Sequence, residues 1–128
     1  MIAGLGVDLV DVDHFQGLID KEDKETLKRM FSAAELASLR PGVHKGEQLA
    51  GWFSAKEAVL KALGVGLAPG ISWTDIEVST NPHGAPAVSL NGLPKTIADH
   101  LAVEKWLVSI SHTETQATAT VIALTASS

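Results

Sequence analysis

The sequence predicts an α+β domain in which an antiparallel sheet packs with one long central helix and several shorter ones. Three observations carry that expectation. Apolar residues recur at helical spacing (positions 49, 52, 53, 59, 60 and 63) between Glu47 and Leu63. The stretch from Trp73 to Leu90 has strand character on either side of the turn residues Asn81-Pro82-His83-Gly84. Two further strand-like runs, Trp106 to His112 and Thr118 to Leu124, are separated by a polar turn.

Taken in order, residues 2–10 (IAGLGVDLV) read as a strand that runs straight into the helical spacing of Val12, Phe15, Leu18 and Ile19. Ser32 followed by Glu35 has the spacing of a capping box, so a short helix is expected from Ala33. Arg40-Pro41-Gly42 ends it. Gly64 and Gly66 suit the C-terminal cap of the long helix, because glycine adopts positive φ without steric cost. Ile76 and Val78 share one face of the strand from Trp73 to Ser79, and Ala87 to Leu90 is its hairpin partner. Pro94 marks a helix start before Ile97, Ala98 and Leu101. No repeat, long linker or low-complexity tract divides the chain, so residues 1–128 are expected to form a single domain.

Composition excludes several classes of function. With no Cys there is neither a disulfide framework nor a thiolate metal site, and no basic-then-apolar leader opens the chain, which suits a reducing cytoplasm. No apolar run approaches the roughly 20 residues of a membrane span. A net charge of −5 argues against a nucleic-acid binder. The charge is unevenly spread: residues 1–27 carry −5, residues 28–61 carry +3, and residues 62–128 carry five acids against two lysines. A polyanionic ligand would be drawn to the middle third.

Four positions stand out chemically. Lys56 falls near the centre of the long helix's apolar stripe; either its stem covers apolar surface while the ammonium snorkels out, or an anionic ligand or partner group meets it there. Glu57 and Lys61 are four residues apart on one flank of that helix, the spacing of a mutual ion pair. The LGVG stretch that follows also lets backbone approach a phosphate closely. Asp8 interrupts an apolar strand where it meets the next helix, as a cap of that helix or as a metal ligand. Mg²⁺ usually takes one or two carboxylates and completes its shell with water and phosphate, so Asp8 with Glu57 is a candidate pair. His112 ends the strand row of Trp106, Val108 and Ile110, as a core or edge residue or as a site histidine. The GxG of GLGVD lacks the third glycine of a dinucleotide fingerprint.

Together, GLGVDLVDVDHF (4–15), FSAAE (31–35), LAGWFSAKEAVLKALGVG (49–66), DIEV (75–78), GAP (84–86) and SISHT (109–113) resemble the holo-acyl-carrier-protein synthases, the short, stand-alone 4′-phosphopantetheinyl transferases. The resemblance implies transfer of 4′-phosphopantetheine from coenzyme A to a serine of an apo-acyl carrier protein or carrier domain, releasing adenosine 3′,5′-bisphosphate, in support of fatty acid biosynthesis. It also implies Mg²⁺ dependence and a homotrimer with active sites at the subunit interfaces. At matching positions, Asp8 and Glu57 would hold Mg²⁺ and Lys61 would lie beside the coenzyme A phosphates. Gly64, Pro86, His112 and Thr113 would surround the nucleotide. The chain departs from the family where many members carry basic residues, at His14, Trp52 and Ala85 and near His44, which bears on carrier docking and on the grip on coenzyme A. The alternatives are a catalytically weak coenzyme A or carrier-binding module of the same fold, and a metal-dependent phosphohydrolase using the same carboxylates.

Overall fold

Strand β1 (Ile2–Asp11) passes directly into α1 (Val12–Asp20), and α2 (Lys24–Met30), α3 (Ala33–Ala37) and the long α4 (Lys45–Ala62) follow. A 3₁₀ turn at Trp73–Asp75 leads into the hairpin β2 (Ile76–Thr80) and β3 (Pro86–Leu90), then α5 (Gly92–His100), β4 (Val103–His112) and β5 (Gln116–Thr125). This computed structural model describes residues 1–41 and 44–126, so Gly42 of the expected helix break lies outside the described residues. The strands form two antiparallel sheets, one ordered β1-β5-β4 and the other the β2-β3 hairpin.

Helix α4 lies against the inner face of the larger sheet, and the glycines of GLGVD explain how closely. A Cβ on Gly4 would stand 1.9 Å from the Ala62 carbonyl oxygen, and one on Gly6 would stand 1.8 Å from that of Ala58. Only glycine permits this approach, so the motif is a strand–helix contact rather than a nucleotide loop. Asp8 is the next inward residue of β1 and is carried onto the α4 surface.

The core has two lobes. Val59, Ile76, Val78, Val121 and Ala123 centre one. Phe15, Phe31 and Leu49 centre the other, with Trp52 packed against both.

Lys56 runs through the core without snorkelling and meets an anionic partner group there, the Glu35 carboxylate. It is fully buried, and Nζ donates to Glu35 Oε1 (2.8 Å), Trp73 O (3.0 Å) and Ile76 O (2.6 Å). Glu35 completes the expected capping box with Ser32 and accepts from Val78 N at 2.8 Å. One ion pair thereby ties α3, α4 and β2 together. Burial pushes the Lys56 pKa down, and Glu35 opposes that shift.

Several boundaries differ from expectation for local reasons. The first hairpin strand begins at Ile76 because Ser72 N donates to Asp75 Oδ2 at 2.9 Å, winding Trp73–Asp75 into a turn. Helix α5 begins at Gly92, with Pro94 inside its first turn where no N–H is required. Gly64 alone supplies the left-handed cap of α4 (φ 77°): Val65 N donates to Leu60 O and Gly64 N to Lys61 O, both at 3.0 Å, and Gly66 has no positive φ. Helix α2 was not anticipated; Asp23 caps it, accepting from Thr26 N at 3.2 Å.

The outer face of the larger sheet carries apolar residues along β1 and at Leu107. Leu5, Val7 and Leu9 of β1 are 63%, 56% and 61% exposed, and Leu107 of β4 is 43% exposed. Ile122 lies between Leu5 and Leu107 in the strand register.

Candidate active site

Asp8, Glu57 and Lys61 converge where β1 crosses the C-terminal half of α4. The Asp8 backbone is pinned from two sides, its carbonyl accepting from Ser54 Oγ (3.0 Å) and Thr118 Oγ1 (2.6 Å). Those two hydroxyls went unremarked in the sequence; Ser54, polar on a buried helix face, was the available signal. The Asp8 side chain is buried, and no cap of α1 involves it. Lys61 Nζ donates to Asp8 Oδ1 and to Val7 O, both at 3.0 Å. The expected Glu57–Lys61 ion pair is therefore replaced by a Lys61–Asp8 pair, because the strand brings a carboxylate to the lysine.

The other Asp8 oxygen, Oδ2, is buried without any hydrogen-bond partner. An orphaned carboxylate oxygen is costly unless a cation or donor completes it. Burial pushes the Glu57 carboxyl above its usual range, the neighbouring Asp8 charge pushes it further, and Lys61 opposes the rise. Two facing carboxyls of this kind demand a shared proton or a bound cation. Among the described residues there is no cluster of three or more His, Asp or Glu that could hold a metal.

The remaining expected residues fall into two places. Gly64 caps α4 close to Lys61, in open space. Pro86 and His112 instead line a cavity of about 550 Å³ between the hairpin, the end of β4 and the N-terminal half of α4, with Trp52, Gln48 and Asn81. Thr113 follows His112 in the β4–β5 turn, where Oγ1 accepts from Thr115 N (3.2 Å) and Gln116 N (3.1 Å). In the order β1-β5-β4, Asp8 lies on one edge strand and His112 on the other. Glu57 is also ten residues, about 15 Å, farther along α4 than Glu47, which lines the cavity. The expected residues thus fall into two groups toward opposite edges of the sheet.

A model of the 4′-phosphopantetheinyl transferase superfamily matches residues 4–122. The chain belongs to this superfamily. Among curated members, the holo-[acyl-carrier-protein] synthase of Trichlorobacter lovleyi is 38% identical over 122 residues, covering 95% of this chain and 97% of that protein. The crystal structure of the Helicobacter pylori holo-[acyl-carrier-protein] synthase in complex with coenzyme A superposes with a TM-score of 0.80 at 30% identity, covering 94% of this chain and 99% of that one. The Bacillus anthracis synthase in complex with CoA (3′,5′-ADP) gives a TM-score of 0.78 at 29% identity, covering 98% and 99%. The α+β architecture of this transferase is that of its structural relatives. Among its described residues, no helix is long and apolar enough to cross a membrane.

Proposed function

We propose that this transferase is a holo-acyl-carrier-protein synthase, which moves the 4′-phosphopantetheine of coenzyme A to the serine of an apo-acyl carrier protein, in the service of fatty acid biosynthesis in the cytoplasm. The observation that carries the reading is the Asp8–Glu57 pair, with Asp8 buried, its Oδ2 orphaned, Glu57 half-buried beside it and Lys61 at the rim. Relatives with a coenzyme A complex share the fold.

In the reaction the serine hydroxyl gives up its proton to a base at the site as its oxygen bonds to the β-phosphorus of coenzyme A, the phosphoanhydride bond breaks, and adenosine 3′,5′-bisphosphate leaves with the electron pair. Phosphoryl transfer asks the protein mainly to align the groups and neutralise charge. The two carboxylates fit Mg²⁺: hard oxygen donors, one of them buried and unpartnered, in the number this ion takes from protein. Bound by Asp8 and Glu57, Mg²⁺ would supply Lewis-acid neutralisation of the diphosphate. Lys61, half exposed beside Asp8, holds its ammonium where a leaving phosphate can take it up. Gly64 leaves the adjoining backbone uncovered by a side chain.

Intact-protein mass spectrometry after mixing with coenzyme A, Mg²⁺ and an apo-carrier tests the reading. One phosphopantetheine gained by the carrier supports transfer. An unchanged carrier with intact coenzyme A supports the weak binding module instead, and hydrolysed coenzyme A supports a phosphohydrolase.

The same reading includes a homotrimer. Half-sites on opposite edges of one sheet are joined when the β1 edge of one copy meets the β4 edge of the next, a head-to-tail contact that closes into a ring. The apolar outer face of Leu5, Val7, Leu9 and Leu107 is what such a ring would cover. Val7→Asp should dissociate the assembly and lower transfer at least about 100-fold, because each site loses its second half. Light scattering at assay concentration that shows a fully active monomer would overturn the trimer.

A further inference from the structure

The chain holds two asparagines, and they are set in opposite ways. Asn81 opens the hairpin turn with its Oδ1 accepting from His83 N and Ala85 N, both at 2.9 Å, and Pro82 follows it without an N–H. Asn91 comes after β3 and precedes Gly92, the first residue of α5. Both members of this Asn-Gly pair are exposed. Among the described residues no hydrogen bond engages the Asn91 side chain, and the Gly92 N–H, at the head of the helix, has no partner either.

The peptide between the two is loosely held. Its carbonyl accepts from Lys95 N at 3.5 Å, the far limit of a hydrogen bond. Pro94 brings no N–H to the first turn of α5. Gly92 takes φ 61° and has no Cβ to resist further turning. On the other side Asn91 N donates to Asp75 O at 2.8 Å, so the strand end of the junction is anchored while its helix end is free to open. Asn91 is extended (φ −133°, ψ 171°), and a turn about its Cα–C bond, which these weak restraints permit, carries Gly92 N toward the side-chain carbon.

From this geometry we propose that Asn91–Gly92 is a site of spontaneous backbone modification in the folded protein. Gly92 N gives up its proton to solvent base and bonds to Asn91 Cγ; the Cγ–Nδ2 bond breaks and ammonia leaves with that electron pair and a proton from water. The five-membered succinimide then takes up one water and opens at either carbonyl, giving an aspartyl or an isoaspartyl residue. The isoaspartyl product lengthens the main chain by one atom between the anchored Asn91 N and the helix. Either α5 shifts, or the 2.8 Å bond to Asp75 is lost. The 3₁₀ turn on the far side of that bond supplies the Trp73 carbonyl that accepts from the buried Lys56 ammonium, so a change at this exposed junction reaches the core. Both products also add a carboxylate close to that of Asp75, which borders Gly92.

Incubation of the intact protein in mildly alkaline buffer, followed by peptide mapping with mass spectrometry, tests the proposal. The folded protein should gain the mass of one amide-to-acid conversion, mapped to the peptide that contains Asn91 and resolved into two products. Its rate should be comparable to that of the chain unfolded in urea and should fall in mildly acidic buffer. Asn91→Gln should lose the gain, because its longer side chain closes a less favourable, larger ring. Protein carried to full conversion should melt below fresh protein, whereas Asn91→Asp, which has the charge without the extra chain atom, should melt close to it. A folded protein that stays unconverted while the unfolded chain converts, a gain mapped elsewhere, or a gain that survives in Asn91→Gln would each overturn the site. Unchanged melting after conversion would overturn its link to the core.

Discussion

Glu57→Gln should lower transfer by roughly 10²–10³-fold, the scale seen when a charge-stabilising group is removed from a reacting centre, and should make the metal-free protein more stable at pH 7. The two effects share one cause. The folded-state pKa of Glu57 is raised above its reference of 4.5 by burial first and then by Asp8. The folded protein therefore holds the Glu57 proton at pH values where the unfolded chain has released it. Stability from this group is fully present below about pH 4.5 and is lost as pH rises through the folded-state pKa. Above the folded-state pKa the ionised pair is a cost that the metal-free fold carries for the sake of the site. Gln keeps the shape and removes the charge. Thermal melts in chelator from pH 4 to 8 should show a decline for wild type that is flattened in Glu57→Gln. Mg²⁺ should raise the wild-type melting temperature but not that of Glu57→Gln or Asp8→Ala. Asp8→Ala should lose transfer to the same extent. Near-wild-type turnover by either variant with unchanged circular dichroism would refute the metal assignment, and a Glu57→Gln protein that melts below wild type at pH 7 would refute the account of the carboxyl pair.

The largest loss of stability is expected from Lys56→Met. It leaves the Glu35 carboxylate buried with Ser32 N and Val78 N as donors but with no cation, at a cost of about 3–5 kcal/mol. That is a large share of the roughly 5–15 kcal/mol by which a domain is stable. Adding Glu35→Gln should recover part of the loss, since the amide oxygen still accepts while the uncompensated charge is gone. Urea titrations of the three proteins at equal concentration measure this, concentration mattering for any assembly. A stable Lys56→Met protein with weakened coenzyme A binding would instead make Lys56 a ligand residue and refute its structural role.

Lys56 also shows how far residue types can be read without a fold. A lysine in an apolar stripe signals an unmet charge, and Ser32 with Glu35 signals a capping box; both signals are correct. That the cap's carboxylate is also the lysine's partner, 21 residues away, depends on how α3 packs on α4. The Glu57–Lys61 spacing is correct in the same limited sense. Helical geometry places both on one flank, yet a second carboxylate, Asp8, 53 residues upstream of the lysine, claims it. Helix α2 escaped notice because seven residues with one buried side chain, Leu27, give too short a pattern for a helical period.

What the sequence determined by itself is what local physics can encode: the helical period of α4, the Ser32 cap, the Gly64 terminus, the hairpin and the two long C-terminal strands. It also marked Asp8, Glu57, Lys61 and His112 as chemically out of place, and it carried enough ordered motifs to announce the superfamily. Only the tertiary structure decided who meets whom. It made the glycines of β1 into a contact with α4, left Asp8 Oδ2 without a partner, put Asp8 and His112 on opposite edges of one sheet, and brought His44 and His112 to the same oxygen of Glu47. The reason is that propensity and periodicity act over a few residues, whereas burial, orphaned oxygens and shared carboxylates arise between segments separated by tens of residues, and exist only once those segments have packed.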